Sequence, residues 1–278
     1  MTMKKINWVK WLSIVFFLIP MLFILLFPFI VMISTSFKTL REVSQIPPTF
    51  IPRAPTLENY REVWNIIPLA KHFRNSLFLG FGEMAIVLFL GIPAAYALCR
   101  FRFAGRGPYM IFLLFTQMFP PVVMILGIFR LVAAYGLVDN LAVVAVIAAS
   151  FNLAFCIWLL TGYFSAIPPE IEEAAMMDGH SRIGAMMKMT LPLSWPGLIA
   201  VGIFAFMDGW NEFLFSLTFI RTQEFLPLTI GLYRFNTRFQ IQWNNLMTGA
   251  FLATIIVVAL FMLVQDKLTR GMVAISEK

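Results

Sequence analysis

Of the 278 residues, 60% are hydrophobic and only 13% are charged, with 30 Phe and 17 Met. A soluble domain carries about 25% charged residues to cover its surface, so this balance excludes a water-exposed globule and puts lipid against most of the exterior. The net charge of +7 sits in the segments flanking the apolar runs, so it gives no reason to expect nucleic-acid binding.

A bilayer core of about 30 Å takes roughly 20 apolar residues in a helix. Six runs of that size occur, at 11–33, 75–99, 108–129, 141–163, 196–220 and 246–265. The second contains Glu83 and the fifth contains Asp208 and Glu212; the other four carry no acidic or basic side chain. Backbone groups in lipid must pair within their own segment, and strand alternation is absent, so helices are predicted and a barrel is excluded. The expectation is an all-α polytopic membrane protein with six transmembrane helices, built as a single transmembrane domain over 1–278. Lys4, Lys5 and Lys10 precede the first run, but that run is too long for a signal-peptide core and no small-x-small site follows, so it reads as an uncleaved span. Six spans put both termini on one side. Basic residues divide almost evenly between the two sets of loops, but the short 100–107 turn carries Arg100, Arg102 and Arg106 against Arg130 alone in 130–140. Short loops weigh most, which favours an inside N-terminus.

In the 34–74 loop, Pro47, Pro48, Pro52, Pro55 and Pro68 predict an extended crossing. Thr56-Leu57-Glu58 then reads as a cap for a short helix over 59–64. In the second and third spans Pro93 and Pro120-Pro121 predict kinks. Glu83 and Gln117 are candidates for the translocation pathway or for helix-to-helix hydrogen bonds. Cys99 and Cys156 lack metal-ligand spacing and read as packing residues. His72 and His180 lie in separate loops, which speaks against a metal site or triad.

The 164–195 loop carries the most information. Pro168 and Pro169 end the fourth span and suit the first turn of a new helix. Glu170, Glu172 and Glu173 follow where the helix dipole favours negative charge. Gly179 is placed to close that helix with a left-handed residue, and Ser181 to cap a second one running to Pro192. Ile171, Ala174 and Ala175 mark a face of the first helix, and Ile183, Met186 and Met187 a face of the second. Small Ala and pliable Met side chains suit a knob that repacks against a partner, or one that packs beneath its own bundle.

In the fifth span Asp208 and Glu212 are spaced i, i+4, with Trp210 and Asn211 between them. An aromatic ring beside hydrogen-bonding groups suits sugar recognition; bonding to neighbouring helices is the other reading. The 221–243 segment, with Pro227, Arg234, Asn236 and Arg238, shows no clear pattern.

Glu173-Ala174-Ala175, then Gly179, then Met189 followed by Leu191-Pro192, resembles the EAA-type loop of binding-protein-dependent ABC importer permeases, with Met189 in place of the usual Ile. Further stretches that fit are Phe73-Arg74-Asn75-Ser76, Ala94-Ala95-Tyr96-Ala97, Phe101-Arg102-Phe103, Thr116-Gln117-Met118-Phe119-Pro120-Pro121 and Trp210-Asn211-Glu212-Phe213. The likeness is to the six-span, maltose-permease-like subunit of the carbohydrate-uptake branch. It implies a type I importer fold and a cytoplasmic 164–195 loop that couples to the ATPase through Glu173, Ala174, Ala175, Gly179, Met189, Leu191 and Pro192. The implied partners are a sister permease, two ATP-binding subunits, an external solute-binding protein, a sugar substrate and lipid. No G-x-x-x-x-G-K-[ST] stretch occurs, so ATP is expected to act on another polypeptide, and no cofactor is expected on this one. An ion-coupled secondary transporter using Glu83, Asp208 and Glu212 is the competing reading. A membrane enzyme lacks its motifs, and a channel lacks a filter.

Overall fold

In a computed structural model the described residues are 8–237 and 240–276; Lys4, Lys5 and Arg238 lie outside them. The helices in chain order are α1 (Trp8–Ser36), α2 (Leu40–Val43), α3 (Glu58–Ile66), α4 (Leu69–Arg100), α5 (Arg106–Thr116), α6 (Pro121–Ala134) and α7 (Leu141–Ser165). They continue with α8 (Pro169–Met177), α9 (Arg182–Ala185), α10 (Leu191–Leu193), α11 (Trp195–Trp210), α12 (Leu214–Phe219), α13 (Leu228–Tyr233) and α14 (Trp243–Ser276). Among the described residues the strand-like pairing is one bridge, between Asn236 and Ile241. Five stretches of the described residues are long and apolar enough to cross a membrane alone, and α5 with α6 makes a sixth if the bent pair counts as one span.

The chain packs as two compact units. The first takes its described residues from Met1–Ile67 and Leu232–Ile255. Here α1 exposes apolar side chains all round, as a helix with lipid or another chain for its solvent does. Its C-terminal end is tied down by polar bonds: Ser36 Oγ pairs with the Tyr60 hydroxyl at 2.8 Å, and Asn59 Nδ2 donates to the Ser36 and Lys38 carbonyls, each at 2.8 Å. The proline-rich loop folds around Glu42, whose carboxylate accepts the Arg53 N–H at 2.8 Å and the Thr49 hydroxyl at 3.0 Å. These bonds, the Arg53 amide first, hold the Glu42 carboxyl below its ordinary range.

The second unit comprises Pro68–Gly231 and the described residues from Ile256 onward. At its centre α4 packs along α7 and α11, which also meet each other. Val87, Ala95, Leu160, Phe164, Val201 and Ala205 form the fully buried part of this core. The α4–α11 crossing is close because both helices have glycine there. A Cβ on Gly209 would sit 2.7 Å from the Leu79 carbonyl oxygen and 2.9 Å from Gly80 Cα, which is backbone that cannot move aside. Small residues are how helices without a hydrophobic driving force between them reach such contact. The N-terminal part of α4 holds the segment before α13: Asn75 Nδ2 donates to the Glu224 and Leu226 carbonyls at 2.7 and 3.0 Å, and Ser76 Oγ accepts the Leu228 N–H at 3.0 Å.

Two spans differ from the continuous helices predicted. The third breaks at Gln117–Pro120, and α5 and α6 meet at 91°. Pro120 is extended and Pro121 opens α6; two adjacent prolines withhold two N–H groups and push the preceding residue out of helical geometry, so an elbow forms where a kink was predicted. The fifth ends as α11 at Trp210 and resumes as α12 at Leu214. Asp208 and Glu212 therefore do not share a helix face. The 221–243 segment contains a short 3₁₀ turn at Gln223–Phe225 and α13.

Gly209→Ala is expected to destabilise the bundle by about 1–3 kcal/mol through overpacking, seen as a lower thermal midpoint in detergent. Gly162→Ala, whose Cβ would meet nothing within 4 Å, should not lower that midpoint.

Candidate functional site

The 164–195 loop forms a helical knob whose turns follow from its sequence. Pro168 caps α8 and Pro169 opens it. At its far end Gly179 adopts φ +92°; the His180 N–H bonds to the Ala175 carbonyl at 3.1 Å and the Gly179 N–H to that of Met176 at 3.0 Å. This is the paired closure that a left-handed glycine permits. Ser181 Oγ then accepts the Gly184 N–H at 3.1 Å to start α9.

Pro192 does not end the second helix, as was predicted. Residues Met186–Thr190 form a π turn, and the chain passes through Pro192 in α10. A proline ring clashes with the carbonyl four residues back, and the wider π turn opens the ladder just ahead of it.

The underside of the knob is fixed by one buried carboxylate. Glu172, 4% exposed, accepts from Arg100 Nε at 2.7 Å, the Tyr96 hydroxyl at 2.7 Å and the Thr190 hydroxyl at 2.5 Å. Arg100 also donates through Nη2 to the Ile167 carbonyl at 3.0 Å. The last turns of α4, the entry to α8 and the π turn are thus joined at one point. Burial alone would raise the Glu172 carboxyl, but the hydrogen bonds from Thr190, Tyr96 and Arg100, with the charge of Arg100, outweigh it and hold the group below its ordinary range. Arg182 lies over the Phe101 ring at 5.1 Å and adds a second fastening.

The predicted coupling residues divide between the two sides of this knob. Ala175 is buried, Met189 and Leu191 are half-buried with Leu191 against the bundle core, and Gly179 makes the turn. Glu173, Ala174 and Pro192 face outward. Beside them Ile171, Met177, Ile183 and Met187 are exposed apolar side chains. Inside this chain the polar anchor is Glu172, a role that sequence reasoning missed. Its one signal was register, since Glu172 and Ala175 are three apart and face the same way. Arg100, 72 positions away, gave none.

The predicted pathway residues also separate. Glu83 is fully buried, with Asn152 Nδ2 donating to its Oε1 at 2.9 Å. Asp208 lies near the same carboxyl group and is exposed. Glu212, 8% exposed, serves as a cap: its carboxylate accepts the Phe215 N–H at 2.6 Å, the Ser216 N–H at 2.8 Å and the Ser216 hydroxyl, covering the free end of α12. Trp210 is buried and stacked at 6.1 Å on Phe206. Asn211 and Gln117 are exposed, the latter donating to the Phe151 carbonyl at 2.8 Å. Among the described residues no group of His, Cys, Asp and Glu is arranged to hold a metal ion.

Residues 87–273 match the family described as binding-protein-dependent transport system inner membrane component. The chain is 34% identical to the inner membrane ABC transporter permease protein YcjP of Escherichia coli, over 91% of each chain. It is 30% identical to the trehalose/maltose transport system permease protein MalG of Thermococcus litoralis, over 92% of each. A solved bacterial ABC transporter involved in the import of the acidic polysaccharide alginate superposes with a TM-score of 0.78, at 23% identity, covering 95% of this chain and 99% of that one; this shows the fold. The chain belongs to the binding-protein-dependent family of inner-membrane transport components, as an ABC importer permease and a multi-pass membrane protein.

The Glu172 bonds have a pH consequence. A carboxyl held below its ordinary value stabilises the fold fully above that value, near pH 4.3, and loses the contribution as pH falls through the lower folded value. Hydrogen exchange over 169–190, corrected for intrinsic rate, should be slow at neutral pH and quicken under acid. Glu172→Ala should make it fast throughout, since stripping one partner from a buried pair costs on the order of 3 kcal/mol.

Proposed function

We propose that this chain forms half of the translocation pathway of an ATP-driven sugar importer and couples to separate ATP-binding subunits through the 164–195 knob. The observation that carries this reading is the two-sided knob: a base clamped to α4 through Glu172 and a far face that leaves Ile171, Met177, Ile183 and Met187 uncovered. A surface of pliable apolar side chains at the end of a membrane bundle suits a protein groove, and the clamp passes its displacement to α4. The chain itself hydrolyses no ATP; its partners do. The knob lies in the cytoplasm with both termini, and a sister permease supplies the other half.

The substrate class rests on the kinship with a trehalose/maltose permease. Asp208 supports the placement of the pathway. An acid exposed on a membrane-spanning helix is too costly against lipid, so its face belongs against the sister subunit or a water-filled passage. Asp208, Asn211 and Gln117 line that passage; Trp210, Glu212 and Glu83 are buried behind them, Trp210 stacked on Phe206, Glu212 capping α12 and Glu83 bonded to Asn152. Family membership favours this account over ion-coupled transport.

The test begins with the tagged chain purified from membranes and placed in nanodiscs. An ATPase and a second permease should accompany it, with hydrolysis stimulated by a sugar-loaded binding protein. A chain that purifies alone and transports in liposomes without ATP would refute the proposal. Ile183→Asp with Met187→Asp, both at exposed positions, should remove the ATPase from the preparation and leave the chain folded. Gly179→Pro should do the same, because proline cannot adopt positive φ.

A further inference from the structure

The first unit holds an open hollow of about 230 Å³ between α2, α3 and the start of α14. Leu40 and Ile66 give it apolar walls, and Glu58, Glu62, Gln242 and Asn244 give it oxygen atoms. The amide orientations there follow from a chain of bonds. Asn59 Nδ2 is committed to the Ser36 and Lys38 carbonyls, so Asn59 Oδ1 must accept. Asn244 Nδ2 donates to it at 2.8 Å and also reaches Asn245 Oδ1 at 3.3 Å. Turning the Asn244 amide over would set oxygen against oxygen. Asn244 Oδ1 is therefore left with no donor among the described residues, on a side chain only 3% exposed that lines the hollow.

An orphaned buried acceptor costs about 1–3 kcal/mol, so this site is unfinished in the isolated chain. Glu58 and Glu62, one helical turn apart on α3, stand at the hollow, and neither forms a salt bridge among the described residues. What completes the site must bring hydrogen-bond donors and positive charge. A metal ion does not fit: the described residues offer no cluster of ligands for one, and 230 Å³ is far wider than an ion needs. A sugar finds no aromatic wall among the lining residues. A basic side chain fits both surfaces, its methylene stem against Leu40 and Ile66 and its charged head at the oxygen atoms.

We propose that this hollow receives a lysine or arginine side chain from the external solute-binding protein, making it a charge-selective docking socket. The proposal rests on the importer reading, under which the 34–74 loop lies outside the cell. Docking then has an electrostatic component set by Glu58 and Glu62, and the inserted head lies beside Asn244.

The test uses the assembled complex in nanodiscs, with the binding protein that stimulates wild-type ATP hydrolysis as the probe. Glu58→Gln with Glu62→Gln should raise its half-maximal concentration about tenfold at low salt, or about 1.4 kcal/mol. Basal hydrolysis and the saturated rate should stay unchanged, and the salt dependence of stimulation should flatten. Gln45→Lys with Asn65→Lys makes the same net-charge change at exposed positions off the hollow, and should leave the half-maximal concentration within about twofold of wild type. The socket is refuted if the Glu variant is stimulated at the wild-type concentration, or if the control pair weakens docking equally. If no loaded binding protein stimulates even the wild-type complex, the importer reading itself fails and the socket falls with it.

Discussion

A polar group inside a membrane bundle has no water to fall back on, so each one must find a partner on another helix or give up its place. Along α4 such partners are found at three levels. Near its start, Asn75 and Ser76 hold the segment leading to α13; midway, Glu83 takes a hydrogen bond from Asn152 on α7; at its end, Tyr96 and Arg100 grip Glu172 on α8. Between the first two levels Gly80 lets α11 come close, which brings Asp208 near the Glu83 carboxyl. The two long helices packed along α4, α7 and α11, meet it where these side chains lie.

The knob shows how a small element can be rigid and adhesive together. Its inward face spends a carboxylate, a guanidinium and two hydroxyls on one buried junction, which is strong because every member is paired. Its outward face sets the exposed Met177 and Met187 beside Ile171 and Ile183, pliable side chains that conform without specifying a single geometry. The tight closure at Gly179 keeps the two helices from drifting apart as that surface is loaded.

The helical spans were legible because hydropathy over some twenty residues is a strong signal that no local detail overturns. Helix ends at Pro169, Gly179 and Ser181 were legible because their causes are local in the chain. The elbow at Gln117–Pro120 was read only as a kink, since the sequence marks where a helix fails but not the direction in which it resumes. Glu212 was misread as a helix-face neighbour of Asp208: a break at Asn211 that carries neither proline nor glycine leaves no trace in composition. Glu172 escaped notice because its value comes from Tyr96, Arg100 and Thr190, brought together by packing from places far apart in sequence.

The π turn at Met186–Thr190 has a bearing on how this loop can change in length. A π turn carries one more residue than an α turn over nearly the same rise. Deleting a residue there would restore regular helical bonding, and with it the clash between the Pro192 ring and the carbonyl four residues back, at a cost of about 3 kcal/mol. The knob can therefore drift in composition more freely than in length, because a single missing residue takes away the slack that accommodates Pro192.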